Sequence, residues 1–167
     1  READQEIQQS LSLNNKVITR SGNKAIYIEN VELYSDNKKV NAVRVGDPLE
    51  IRIRLKCNKN VNKPTVGFMI KDRLGNEVFG TNTYHLNHEL GFWETNKIYT
   101  LSFFIPANIG IGAYSITAAV HDGYQHIENN YDWIDQANTF QVVPGNEPTF
   151  NGVAYMPTRS VLQIEED

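Results

Sequence analysis

The densest run of chemically able side chains lies between Gly110 and Val143, in GIGAYSITAAVHDGYQHIENNYDWIDQANTFQVV. It gathers His121, Tyr124, Gln125, His126, Tyr131, Asp132 and Trp133. A pyranose presents apolar C–H faces that stack on aromatic rings, and its hydroxyls pair with Asp, Asn, Gln and His. A second group, Asn82, Tyr84, His85 and His88, precedes Trp93. These residue types suit saccharide binding, and each has a plainer role open to it. Trp133 and Trp93 either present a ring or plug the end of a β-body, since Trp is usually well buried. Asp132 either accepts from a hydroxyl or caps a turn. The stretch from His121 to His126 either lines a concave site or is a solvated loop. Asn82, Tyr84, His85 and His88 either line the same face or serve turn hydrogen bonding.

Catalysis finds less support. Asp132 and Asp135 with His121 can be imagined as a glycosidase-like pair, but nothing fixes their separation and no third group tunes a pKa. His85 and His88 lie three apart in a loop without a clear third metal ligand. No serine-nucleophile motif is present. The expectation is a binding chain rather than an enzyme, with no cofactor and no metal. Arg52 and Arg54 form a basic stripe. It fits an acidic or phosphate-bearing glycan, or equally a charged face that protects a sheet.

The elements that must position these residues read as strands. LEIRIRLKC, Leu49 to Cys57, alternates strictly, with Glu50, Arg52, Arg54 and Lys56 outward. Lys24 to Leu33 changes phase near Asn30, which predicts a bulge or two short pieces. Thr65 to Lys71, the turn Asp72 to Asn76 and Glu77 to Tyr84 form a hairpin. Gly80 inside it marks a bulge or a close backbone approach. Lys97 to Ile105 follows, with Tyr99, Leu101, Phe103 and Ile105 inward. In the next strand Tyr114, Ile116, Ala118 and Val120 share one face, and Ser115, Thr117, Ala119 and His121 share the other. The polar aromatic stretch then reads as a long loop, closed by a strand from Thr139 to Val143. About eight short strands without a convincing helix past the N-terminus predict an antiparallel β-sandwich.

Three segments result. Residues 1–22 read as a linker or loosely docked arm, with a possible short helix in READQEIQQSL. Residues 23–147 form the sandwich. Residues 148–167 follow the Pro144–Pro148 break and carry Phe150, Val153, Tyr155, Met156, Val161, Leu162 and Ile164. That tail either returns to its own sheet as an edge strand or adds to a second copy by domain swapping.

The 167 residues suit one domain plus a tail, and the 40% apolar share supports a sizeable core. The chain opens on Arg1 and reads as a fragment of something longer. Sixteen basic against twenty acidic residues give a net charge of −4 without a basic block, which argues against nucleic acid. No apolar run is long enough to span a membrane. The single cysteine, Cys57, falls in phase with the LEIRI face and reads as a core thiol. The lack of disulfides leans toward a reducing compartment.

In order, the VGD turn and LEIRI strand, LGNEVFGTNT, a Pro-x-x-x-x-x-Gly-x-Tyr strand, YDWID and TFQVV resemble a known family. It is the C-terminal carbohydrate-binding domain of the Wzt-type ATP-binding subunit of O-antigen polysaccharide ABC transporters. The resemblance covers roughly Ala25 to Val143 and carries over Phe79, Gly80, Thr81, Asn82, Tyr114, Trp133 and Phe140 as framework. It implies an immunoglobulin-like sandwich that forms a homodimer by exchanging C-terminal strands. It implies recognition of the terminal region of a lipid-linked O-antigen polysaccharide. It also implies a cytoplasmic position at the inner face of the bacterial inner membrane, beside the transporter's transmembrane subunit. The glycan-binding residues expected are Asn82, Tyr84, His85, Trp93, His121, Tyr124, Gln125, Tyr131, Asp132 and Trp133. The competing expectation is a structural dimerisation module with no ligand of its own.

Overall fold

The computed structural model describes residues 6–11, 17–123, 129–146 and 148–165, and every regular element among them is a strand. In chain order these are β1 (Glu6–Leu11), β2 (Val17–Gly22), β3 (Ile26–Ser35), β4 (Lys38–Lys39), β5 (Ala42–Arg44), β6 (Pro48–Cys57), β7 (Val61–Asn62), β8 (Thr65–Asp72), β9 (Glu77–Asn82), β10 (Phe92–Trp93), β11 (Ile98–Pro106), β12 (Gly112–Asp122) and β13 (Asn129–Val143). The larger sheet runs β1-β2-β13-β12-β8-β9, with β5 parallel to the end of β13. The smaller runs β11-β6-β3-β4, and β7 pairs with β10 apart from both. The chain is all-β with antiparallel sheets, as expected.

Alternation explains the core. β6 sends Leu49, Ile51, Ile53, Leu55 and Cys57 inward, each essentially without exposure. They merge with Val66, Phe68 and Ile70 of β8 and Ile116, Ala118 and Val120 of β12 in one apolar cluster. β-branched side chains fit such a two-layer surface well. Phe68 meets Phe103 of the other sheet edge-on at 5.0 Å. The Tyr114 hydroxyl donates to the Gly110 carbonyl at 2.6 Å, a corner of the kind that immunoglobulin-like sandwiches use. Cys57 is the expected core thiol. It donates to the Lys59 carbonyl, and burial pushes its pKa up.

Turn chemistry matches the sequence. Asp36 and Asn37 both take positive φ between β3 and β4, as a tight hairpin requires. Asp72 accepts from the Leu74 and Asn76 amides and turns β8 into β9. The bulge expected near Asn30 is present, between Ile28 and Asn30.

Two expectations are corrected. Among the described residues the N-terminal arm forms no helix. β1 and β2 pair with each other, and β2 joins the large sheet through Trp133 opposite Ser21 and Ile134 opposite Arg20. At Gly22, with φ 134°, a Cβ would lie 2.7 Å from the Tyr131 carbonyl carbon, so the arm can approach this closely only with glycine there. The second correction is that β13 begins at Asn129, not near Thr139. Tyr131, Asp132 and Trp133 are strand residues. Two irregularities in the β12–β13 register break the period that would have revealed them.

Candidate functional site

The outward face of the large sheet carries a furrow. Ala119 lies opposite Gly67 on one side and Trp133 on the other, while Thr117 lies opposite Met69. In β9, Gly80 faces Met69 and Asn82 faces Gly67. The result is a furrow of about 290 Å³ whose floor is Gly67, Gly80, Thr117 and Ala119. Trp133, Met69 and Lys71 rise along it, and Asn82, His85 and His121 line it as well. The two glycines let neighbouring side chains lie close over the floor. A Cβ on Gly67 would meet the Asn82 Cβ at 2.8 Å, and one on Gly80 would meet the Met69 Cε at 2.6 Å.

A bulge sets the polar end. Ile116 pairs with Asn138 and Ala118 with Ile134, so Asp135, Gln136 and Ala137 all stand opposite Thr117 alone. Gln136 absorbs the kink with φ 50°. The Asp135 carboxylate is thereby brought to the outer face. Its Oδ1 accepts from Thr117 Oγ1 at 2.8 Å, from the Gln136 amide at 3.1 Å and from Lys71 Nζ at 3.4 Å. Lys71 Nζ in turn stands 5.9 Å from the centroid of the Trp133 ring.

Of the expected residues, Asn82, His85, His121 and Trp133 come together here, His121 with only 1% of its surface exposed. Tyr84 does not. It is exposed in a separate hollow of about 630 Å³ at the end of the sandwich, with Thr83, His88 and Asp122. Tyr124 and Gln125, like His126, lie outside the described residues.

Three expected site residues are corrected by burial. Trp93 is 4% exposed, stacked on Tyr99 with centroids 4.0 Å apart, and its Nε1 donates to the Leu90 carbonyl. It plugs the sandwich end. Tyr131 is enclosed, and burial pushes its phenol up. Asp132 has no exposed surface. Its Oδ2 accepts from the Ile28 amide at 2.7 Å and from Arg20, whose Nε also reaches Oδ1 at 3.0 Å. Asp132 and Asp135 serve opposite sides of the sheet and form no carboxylate pair. Among the described residues no group of three or more His, Cys, Asp or Glu side chains is arranged to hold a metal.

Gly67, Met69, Lys71 and Thr117 join the site without being among the residues expected from sequence. Their signal was the pair of glycines in TVGFMI and EVFGTN, which the Asp72–Asn76 turn folds onto adjacent strands. Arg52 and Arg54 belong elsewhere, on the outer face of the smaller sheet. Arg52 binds Glu50 at 2.7 Å and lies 3.7 Å over the Tyr34 ring, and Arg54 binds Glu29 at 2.8 Å. Its hydrogen bond from Arg52 holds the Glu50 carboxyl below the usual range. The stripe is thus balanced by its own acids, not left open to an anionic glycan.

Comparison with known proteins agrees with this architecture. The model of the Wzt C-terminal domain family matches residues 17–156. Among solved structures, the crystal structure of the C-terminal domain of wzt overlays with a TM-score of 0.77 at 14% identity, over 86% of this chain and 87% of that one. Two structures of a CARDB domain from Pyrococcus furiosus overlay with TM-scores of only 0.40 and 0.38. They are 17% and 19% identical, over 73% and 74% of this chain and 97% and 96% of theirs. No curated protein matches the sequence. With most of its length matched by that model, the chain belongs to the Wzt C-terminal domain family.

Proposed function

We propose that the chain holds the terminal region of a lipid-linked O-antigen polysaccharide in the furrow beside Trp133, without altering it. Family membership implies a role in O-antigen transport. The observation that carries the finer reading is an indole standing beside a floor stripped of side chains. Amide, imidazole, ammonium and carboxylate groups surround it. Trp133 would stack on one sugar face, and the small floor lets the ring approach the backbone. Asn82, His85, Lys71 and Asp135 supply donors and acceptors for hydroxyls. Each polar contact has a net worth of about 0.5–1.5 kcal/mol, so a shallow site binds at roughly micromolar affinity or weaker.

In this reading the chain sits in the cytoplasm, at the inner face of the bacterial inner membrane, as part of an ABC transporter. It meets the transmembrane subunit through the full-length protein. No helix among the described residues is long and apolar enough to cross a membrane.

The test is a titration with lipid-free O-polysaccharide of the host bacterium, followed by backbone amide NMR. Shifts should concentrate at Gly67, Thr81, Thr117 and Trp133. Trp133→Ala should weaken binding about tenfold, the 1.4 kcal/mol that a lost stacking contact represents. An unchanged dissociation constant in a folded Trp133→Ala protein would reject the furrow.

The C-terminal segment supports a homodimer. An isolated bridge joins Ala154 to Ile109, and the Tyr155 amide donates to Asn108. Beyond them Met156, Val161, Leu162 and Ile164 are largely exposed, outside any strand among the described residues. Exposed apolar side chains in an extended segment are what an exchanged strand presents before its partner arrives. Deleting residues 157–167 should convert a dimer to a monomer in light scattering. A full chain that is already monomeric at high concentration would exclude the exchange.

A further inference from the structure

The furrow does not end at Asp135. Lys71 lines both it and a second hollow of about 350 Å³ farther along the same outward face, between β8, β12 and β13. Ser115, Gln136, Thr139 and Gln141 line this second compartment, with Arg73 at its turn. Ser115 stands between Lys71 of β8 and Thr139 of β13 in register, two residues along β12 from Thr117 of the first furrow. From Ser115 to His121 the strand rises about 20 Å, a span that takes several pyranose units end to end.

The chemistry of the two compartments differs. The first has a ring. The second has no exposed ring but is rich in hydroxyls and amides. Among the described residues, the side-chain polar atoms of Ser115, Gln136, Thr139 and Gln141 make no hydrogen bond to the protein. On a sheet face, groups left this way are free to meet a ligand's hydroxyls. Between the compartments, Asp135 commits Oδ1 to three donors, while Oδ2 has no partner among the described residues.

We propose that the Ser115–Gln141 hollow is a second saccharide subsite, which holds the sugar units that follow the one stacked on Trp133. The chain would then read an oligosaccharide stretch rather than one terminal residue. This rests on the glycan-binding reading above. A single sugar would fill the first compartment and gain nothing from the second. A longer fragment would cross the Lys71–Asp135 divide and bond to the free hydroxyls and amides. No ring is available there, so the second subsite would select by hydroxyl pattern and not by stacking.

The experiment uses lipid-free O-polysaccharide cleaved and fractionated into short and long pieces, titrated by calorimetry and amide NMR. Long pieces should bind about tenfold tighter than single repeat-end sugars, the 1.4 kcal/mol that one or two net hydrogen bonds supply. Amides of Ser115, Thr139 and Gln141 should shift only with the long pieces. Ser115→Trp, which fills the second hollow, should erase the length dependence and leave short pieces unaffected. The milder Thr139→Ala/Gln141→Ala pair should reduce the length dependence without touching the fold. Binding that is independent of length, or a Ser115→Trp protein that weakens short and long pieces equally, overturns the second subsite alone. Failure of every piece to bind overturns it together with the glycan reading.

Discussion

Replacing Asp132 with alanine is expected to lower the stability of the domain by about 3–5 kcal/mol, the cost of breaking a buried ion pair by removing one partner. In a chain of this size that is a fall of melting temperature on the order of 10 °C. The carboxylate has no exposed surface, and it sits where the two sheets meet the N-terminal arm. Removing it leaves the Arg20 guanidinium facing a protein interior. It also strips the Ile28 amide of its acceptor. Arg20 has partial compensation left: its terminal nitrogen donates to the Ile28 carbonyl at 2.8 Å, and its guanidinium lies 3.9 Å over the Tyr27 ring. Arg20→Ala should therefore cost a similar amount for the opposite reason, a buried carboxylate with no cation. The single losses should not add. Asp132→Leu combined with Arg20→Met should recover most of the stability, because well-packed apolar replacements of a buried pair are often neutral. Urea unfolding of the four proteins checks this. A loss below about 1 kcal/mol for Asp132→Ala would mean that the pair is no more than an exposed one.

That pair shows why part of this molecule was legible in its sequence and part was not. Strand-forming alternation is local, so LEIRIRLKC revealed its inward face, and GAYSI revealed a strand with a tyrosine at its start. The phase change before Val31 revealed a bulge. Asp132 and Arg20 are separated by 112 positions, and nothing in either neighbourhood predicts that they meet. The stretch NNYDWID reads as loop because its composition is polar. It is strand because β2 and β12 satisfy its backbone from both sides. Once it is a strand, its neighbours take opposite fates. Trp133 goes outward to the furrow and Asp132 inward to Arg20. The ring of Trp93 looked as available as that of Trp133. Its stacking partner Tyr99 comes from another strand, and contact across strands is not a sequence-local property. The furrow was hardest to foresee, because it is made from absent side chains at Gly67, Gly80 and Ala119. Absence carries meaning only after register has been fixed.

Filling that absence gives the largest functional effect. Ala119→Phe is expected to weaken glycan binding roughly hundredfold or more, about 2.7 kcal/mol, while the protein stays folded. Ala119 lies at the centre of the floor, with Gly67 on one side and Trp133 on the other. Its Cβ is on the outward face, so added ring atoms enter the furrow rather than the core. The new ring would occupy the space where a saccharide stacks on Trp133, and no shift of Asn82 or His85 could restore that contact. This exceeds the tenfold effect of Trp133→Ala because truncation removes one contact, whereas filling removes the site. Extra volume beside Met69 and Trp133 costs some stability, about 1–3 kcal/mol if the ring is forced off its rotamer, so unfolding curves must accompany the titration. The same variant separates the furrow from the hollow at the sandwich end. The hollow at the sandwich end, with Tyr84, His88 and Asp122, is not lined by Ala119. A glycan held there would be indifferent to Ala119→Phe and sensitive to Tyr84→Ala. If that is the observed pattern, Trp133 is a surface ring beside an idle depression, and recognition belongs to the loops at the end of the sandwich.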